Sequence, residues 1–233
     1  MRTHDQHSQA DVTPALALSY LKEGNLRFVN NLKLNRNLLQ QVNETTEGQW
    51  PFATILSCID SRTSAELVFD QGLGDIFSIR IAGNVLNDDI LGSMEYACKV
   101  AGSKLILVLG HSRCGAVTGA CKGMEMGHLS GLLDKIQPAI DSVRGTNTQS
   151  EDSPDFVQQV TEQNVQNAVN AIRERSSILR ELEDAGRIMI TGAMYSVERG
   201  VVEFLDPGLW NSRQAAKPFS LRDDIRGTVA VPR

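Results

Sequence analysis

The 233-residue sequence has no apolar run that could span a bilayer. Its most continuous apolar stretch, Leu105-Ile-Leu-Val-Leu109, falls far short of the roughly 20 residues a membrane helix needs, so no membrane partner is expected. An excess of positive charge is also missing. The net charge is −5 and the pI is near 5.4, which implies no basic face for nucleic acid or anionic lipid. The first residues, MRTHDQHSQADV, lack the apolar core of a signal peptide, and the expectation is a cytoplasmic protein. Cysteines are few: Cys58, Cys98, Cys114 and Cys121. In a cytosolic chain of this size they are expected as thiols or metal ligands rather than a disulfide framework. There is no internal repeat and no low-complexity segment. The chain is long enough for one large α/β domain with a substantial core.

Residues 1–12 read as a loose polar arm, in which His4 and His7 would be exposed. Thr13-Pro14 opens a helix, with Thr suited to the N-cap and Pro to the first turn. That helix is expected to run to about Asn31. It has little of its own to bury, and an arm of this kind often packs on a partner subunit. Residues 32–50 are polar and irregular. Phe52–Cys58 reads as a buried strand, Ser64–Asp70 as a short helix, Asp75–Arg80 as a second strand and Asp88–Val100 as a helix. Lys104–Gly110 is apolar throughout, which suits a strand covered on both faces of a parallel sheet. Helices are expected over Gly115–Lys122, Leu129–Val143 and Phe156–Ala185, with a flexible loop at Gly145–Asp155. Arg187–Thr191 reads as a fourth strand, and Tyr195–Val197 with Val201–Leu205 as a hairpin-like edge. The fold class is therefore α/β: a single domain over 13–206 with a mostly parallel sheet, one added antiparallel edge strand and flanking helices, preceded by the N-terminal arm and followed by a polar tail over 207–233.

In such sheets ligands bind beyond the carboxyl ends of the strands. Cys58 ends the first strand, and His111 follows the third, with Cys114 one turn on. Two thiolates and an imidazole suit tetrahedral zinc, and three protein ligands leave a fourth position open, as in catalytic sites. A water on such a metal can ionise near pH 7, although two thiolates make it less acidic than three histidines would. Asp60 is two residues from Cys58, within reach of that fourth position. Arg62 can pair with Asp60 in a two-pronged fork, keeping the carboxylate ionised and off the metal. Loss of the pair would let Asp60 bind the metal in a closed state.

Plainer readings exist for each residue. Asp60-Ser-Arg could cap the following helix. Cys58 could be a buried apolar thiol, His111 a structural histidine, and Cys114 with Cys121 a local disulfide. Cys98 reads as core or interface, and Cys121 and His128 as non-ligating. The conjunction is more specific than its parts, because both segments end strands that point to one crevice.

Cys58-Ile-Asp-Ser-Arg62 together with His111-Ser-Arg-Cys-Gly115 resembles the β-class carbonic anhydrases. Gly24-Asn-Leu-Arg-Phe28, Asp75-Ile-Phe77, Arg80-Ile-Ala-Gly-Asn84, Gly192-Ala-Met-Tyr195 and Val202-Glu-Phe204 extend the likeness over roughly 13–206. The resemblance implies one zinc ion per chain on Cys58, His111 and Cys114, with Asp60 and Arg62 as the catalytic dyad. It implies reversible hydration of carbon dioxide to bicarbonate. In the plant-like subgroup, Gln49 matches a glutamine that binds substrate or bicarbonate, and Phe77 an apolar pocket residue. Tyr96 matches an aromatic contributed across a dimer interface, and the N–H of Gly115 a substrate donor. The unit implied is at least a homodimer, with tetramers common. Ile81, Ala82 and Thr63 depart from residues many members carry. Rival readings are a carbonyl sulfide or carbon disulfide hydrolase on the same scaffold, a non-catalytic zinc protein, and a thiol enzyme using Cys58.

Overall fold

In a computed structural model, residues 3–145, 150 and 153–205 are described. The expected tail over 207–233, and most of the loop expected at 145–155, lie outside them.

The arm is more ordered than its composition suggests. Gln6–Ala10 forms a short helix, α1, closed by a reciprocal Asp5–Ser8 capping box. Its Gln9 is buried and donates to the carbonyls of Pro51 and Ala101 at 2.8 Å each. His4 packs against Tyr20 and Phe52, at ring-centroid distances of 6.0 and 5.8 Å, rather than standing free in solvent. The signal missed was local: a capping box can stabilise a single turn without any apolar stripe.

Helix α2, Pro14–Val29, starts as expected, with the Thr13 hydroxyl accepting from the N–H of Leu16. Its Ala17–Leu21 face is buried on the chain's own sheet, against Phe52, Ile55 and Leu107. A Cβ on Gly24 would stand 1.8 Å from the Phe69 carbonyl oxygen, so only glycine permits this approach. Leu26, Leu32, Leu38 and Leu39 remain exposed. The segment expected to be irregular contains α3, Leu38–Glu44, capped by Asn37.

The core alternation then follows: β1 (Ala53–Ser57), α4 (Ala65–Val68), β2 (Ile76–Arg80), α5 (Asp88–Glu95), β3 (Leu105–His111), α6 (Gly115–Cys121), α7 (Gly127–Leu133), α8 (Gln137–Arg144), α9 (Pro154–Arg175), α10 (Ser177–Asp184), β4 (Met189–Tyr195) and β5 (Val202–Phe204). Three of the expected helices are interrupted. Asp88–Val100 ends in a π-helical turn at Tyr96–Val100, and the Leu129–Val143 helix is two helices joined by a 3-10 turn. The Phe156–Ala185 helix breaks at Ser176, whose hydroxyl caps α10 by accepting from Leu179 N–H. A serine at that position offers the backbone an alternative partner, which hydrophobic period alone does not reveal. Arg187–Thr191 and Tyr195–Val197, read as separate strands, overlap one continuous strand, β4, which leaves out Arg187, Ile188, Ser196 and Val197.

Strand order is β2-β1-β3-β4-β5, with the first three neighbour pairs parallel and β5 antiparallel to β4. β1 and β3 are buried along their whole length, as continuous apolar runs require. One sheet face is covered by α2 and α4; the other carries α5, α9 and α10 over Leu56, Ile106, Val108 and Ile190. A third cluster roofs the carboxyl ends of the strands, where Cys58 and Cys114 pack with Val117, Ile136 and Phe156. From β1 the chain goes first to β2 on one side and then to β3 on the other. The crevice between β1 and β3 is therefore where such sheets bind ligands.

Candidate metal centre

That crevice holds Cys58, from the end of β1, and His111, the last residue of β3. Cys114 follows after Ser112 and Arg113, at the N-cap of α6. All three are buried, and their sulfur and nitrogen ligand atoms lie within 4.8 Å of one another. Nδ1 of His111 lies 2.9 Å from the Ser112 carbonyl oxygen, to which it can only donate. Nε2 is then an acceptor, and it is buried without a hydrogen-bond partner. A lone pair so isolated fits a cation rather than a structural histidine.

Cys58 and Cys114 are buried thiols with no disulfide between them. Cys58 is held far below an ordinary thiol by the Cys114 hydrogen bond, against the opposing effect of burial, with help from the N–H groups of Asp60 and Gly83. The Gly83 N–H lies 3.3 Å from Cys58 Sγ, presented by a backbone with φ of 66°. Cys114 is pushed up by the same Cys58 hydrogen bond and by burial, while the N–H groups of Val117 and Ala116 pull it down. Two sulfurs, one of them ready to ionise, and one imidazole nitrogen make a donor set that suits tetrahedral zinc.

Asp60 stands outside this cluster, in a fork with Arg62. Oδ1 accepts from Arg62 Nε at 2.9 Å and from its backbone N–H at 3.0 Å; Oδ2 accepts from Nη2 at 2.7 Å. The Arg62 guanidinium holds the carboxyl well below the usual carboxylate range. Helix capping does not explain Asp60, because Ser64 occupies the N-cap of α4. Thr63 supports the same turn: its buried hydroxyl lies 3.1 Å from the Cys58 carbonyl and 2.9 Å from that of Asp60. Arg80 is a support the sequence reading missed. Its Nε donates to the Cys58 carbonyl at 3.1 Å, and its Nη2 to the Asp60 carbonyl at 2.7 Å. The signal was register, since an arginine ending β2 lies opposite Ser57, the last residue of the neighbouring strand.

Gly115 opens α6 directly after Cys114, with nothing within 4 Å of where a side chain would begin. The other pocket residues lie apart from the metal cluster. Phe77 and Tyr96 meet edge to face, 6.5 Å between centroids, and line an open cavity of about 740 Å³ along β2 and α5. Gln49 is exposed before the amino end of β1. With Cys58 beyond the other end, the strand alone separates them by roughly 17 Å. No described helix is long and apolar enough to cross a membrane.

Comparison with known proteins agrees with this geometry. The family model described as carbonic anhydrase matches residues 53–202. Carbonic anhydrase 2 of Mycobacterium tuberculosis is 36% identical over 198 residues, covering 82% of this chain and 92% of that protein. The fold is shared with a β-carbonic anhydrase of Aspergillus fumigatus, with a TM-score of 0.65 at 24% identity, covering 88% of this chain and 92% of the other. It is shared also with a β-carbonic anhydrase of Sordaria macrospora, described as tetrameric, with a TM-score of 0.63 at 21% identity and coverage of 82% and 94%. With two cysteines and a histidine gathered where the sheet opens, and an aspartate leashed beside them, the chain belongs to the β-carbonic anhydrase family.

Proposed function

We propose that the chain catalyses the reversible hydration of carbon dioxide to bicarbonate and a proton. One observation carries the reading: the buried Cys58–His111–Cys114 cluster stands beside a carboxylate that Arg62 keeps ionised. The family's zinc ion, one per chain, fits that donor set, and when bound it supplies a Lewis acid that makes water nucleophilic near neutral pH.

The chain's own residues do the rest. Asp60 accepts a hydrogen bond from the attacking water and so turns a lone pair of that water toward the substrate carbon. Arg62 keeps the Asp60 carboxylate aimed and away from the metal; without it, Asp60 would fill the fourth position and close the site. The Gly115 N–H donates to a substrate oxygen. Gln49 and the Phe77–Tyr96 pair, lying apart from their own chain's cluster, serve the site of a second copy. The working unit is thus at least a homodimer, and a tetramer is its natural extension. A cytoplasmic setting completes the reading, since Cys58 and Cys114 are gathered with His111 as a ligand set that needs reduced thiols.

The test is stopped-flow carbon dioxide hydration from mildly acidic to alkaline pH, with zinc quantified. About one zinc per chain and hydration rising toward alkaline pH are expected. Zinc-loaded protein without hydration at any pH would overturn the reading, and carbonyl sulfide hydrolysis would be measured next.

A further inference from the structure

The two residues between the ligands His111 and Cys114 have no part in the chemistry above, yet both are tied to one distant carboxylate. Glu198 lies on the turn joining β4 to β5. Its Oε2 accepts from the Ser112 hydroxyl at 2.9 Å, and its Oε1 from Arg113 Nε at 2.5 Å. The Ser112 hydroxyl in turn accepts from Val197 N–H at 3.0 Å, and the Ser112 N–H donates to the Tyr195 carbonyl at 2.9 Å. Side chains thus continue the β3–β4 pairing past the end of the sheet.

Two consequences reach the site. The Ser112 carbonyl receives His111 Nδ1, so the placing of Ser112 sets which way Nε2 points. Arg113 has φ of 54°, a left-handed backbone that an arginine adopts unfavourably. Its carbonyl lies 3.4 Å from Nη2 of Arg62, the residue that leashes Asp60. An exposed Arg–Glu pair alone contributes little. This one also captures the serine that orients a ligand, and it holds a bend the backbone resists.

We propose that Glu198 is a positioning residue for the metal centre, holding the Ser112–Arg113 bend and through it the orientations of His111 and Arg62. The proposal rests on the zinc reading above.

The experiment uses full-length, zinc-loaded protein and three readouts: the rate of zinc transfer to a chelator, the visible spectrum of the Co2+-substituted protein, and kcat against KM. Glu198→Ala should lose zinc about tenfold faster, the lower end for partners of metal ligands. It should also shift the Co2+ spectrum and lower kcat more than it raises KM. Glu198→Gln, which keeps an acceptor for Arg113, should fall between it and wild type. Adding Arg113→Gly to Glu198→Ala should recover much of the zinc retention, because glycine takes the left-handed bend freely. Glu203→Ala removes the Arg199 ion pair of the same hairpin and should change none of the three. If Glu198→Ala unfolds, Ser112→Ala, which leaves the Arg113–Glu198 pair intact, decides the matter on the same readouts. Wild-type zinc loss and Co2+ spectra in both alanine variants would overturn the proposal, as would failure of the glycine to recover the loss. If the wild type itself holds zinc but hydrates nothing, the functional reading fails instead, and the zinc-transfer and Co2+ results still judge Glu198.

Discussion

Stripping the metal should leave the fold standing while lowering its melting temperature by roughly 8–16 °C. The ligands come from the ends of β1 and β3 and the start of α6, and two of the three core clusters contain none of them. The sheet therefore has its own reasons to form. A ligand that binds only the native state stabilises it by about 4.1 kcal/mol when free at a thousand times its Kd. A chain of this length shifts about 2–4 °C per kcal/mol, which gives the range above. Each tenfold rise in free zinc should add about 1.4 kcal/mol, or roughly 3–6 °C. Calorimetry across a buffered zinc series, beside far-ultraviolet circular dichroism of the chelated protein, measures both quantities. Loss of helical signal on chelation would mean the metal is structural and would refute the reasoning. So would a melting temperature indifferent to zinc.

Other outcomes follow from the same contacts. Arg62→Ala should retain about one zinc per chain while hydration falls steeply; Arg62→Lys, which keeps the charge but not the fork, should fall less, as comparison of zinc content and turnover would reveal. The carboxyl of Asp60 is depressed, so its contribution to stability is complete above the unfolded value near 3.8 and is lost only as pH falls through the lower folded value. Beyond the reversible fall in hydration as the water protonates, irreversible acid inactivation above about pH 5 should therefore track release of zinc as its ligands protonate, and activity permanently lost with zinc retained would contradict this. Burial pushes the Cys98 thiol up to about 12. With zinc bound, a thiol reagent should modify Cys121 first, chelation should add Cys58 and Cys114, and Cys98 should react only on unfolding, as peptide mapping would show. Gly83→Ala puts a side chain on a backbone with φ of 66° and 2.9 Å from Ile136 Cδ1. It should cost about 1–2 kcal/mol in urea unfolding and speed zinc loss.

The parts legible in the sequence were those set by short-range grammar. Thr13-Pro14 announced α2, and the unbroken apolar run at Leu105–Leu109 announced a strand covered on both faces. Two apolar runs ending in Cys58 and His111 marked the crevice, because parallel strands bring their carboxyl ends together. Three-dimensional register hid the rest. Arg80 serves the site because β2 happens to end beside Ser57, and α2 lies on its own sheet because Gly24 lets it approach Phe69. The break at Ser176 was masked by apolar spacing that continues across it.

The placement of the ligands on neighbouring strands has a consequence for how the protein is made. Cys58 and His111 are separated in sequence by all of α4, β2 and α5, and they meet only after β1 and β3 align. In a disordered chain, gathering them means closing that whole loop, at an entropic cost the metal alone must meet. Before then, His111 and Cys114 can offer only a two-point grip. Tight metal capture therefore comes late during synthesis, after the central strands have paired, and acquisition of the ion doubles as a report that the newly made sheet has been assembled in the right order.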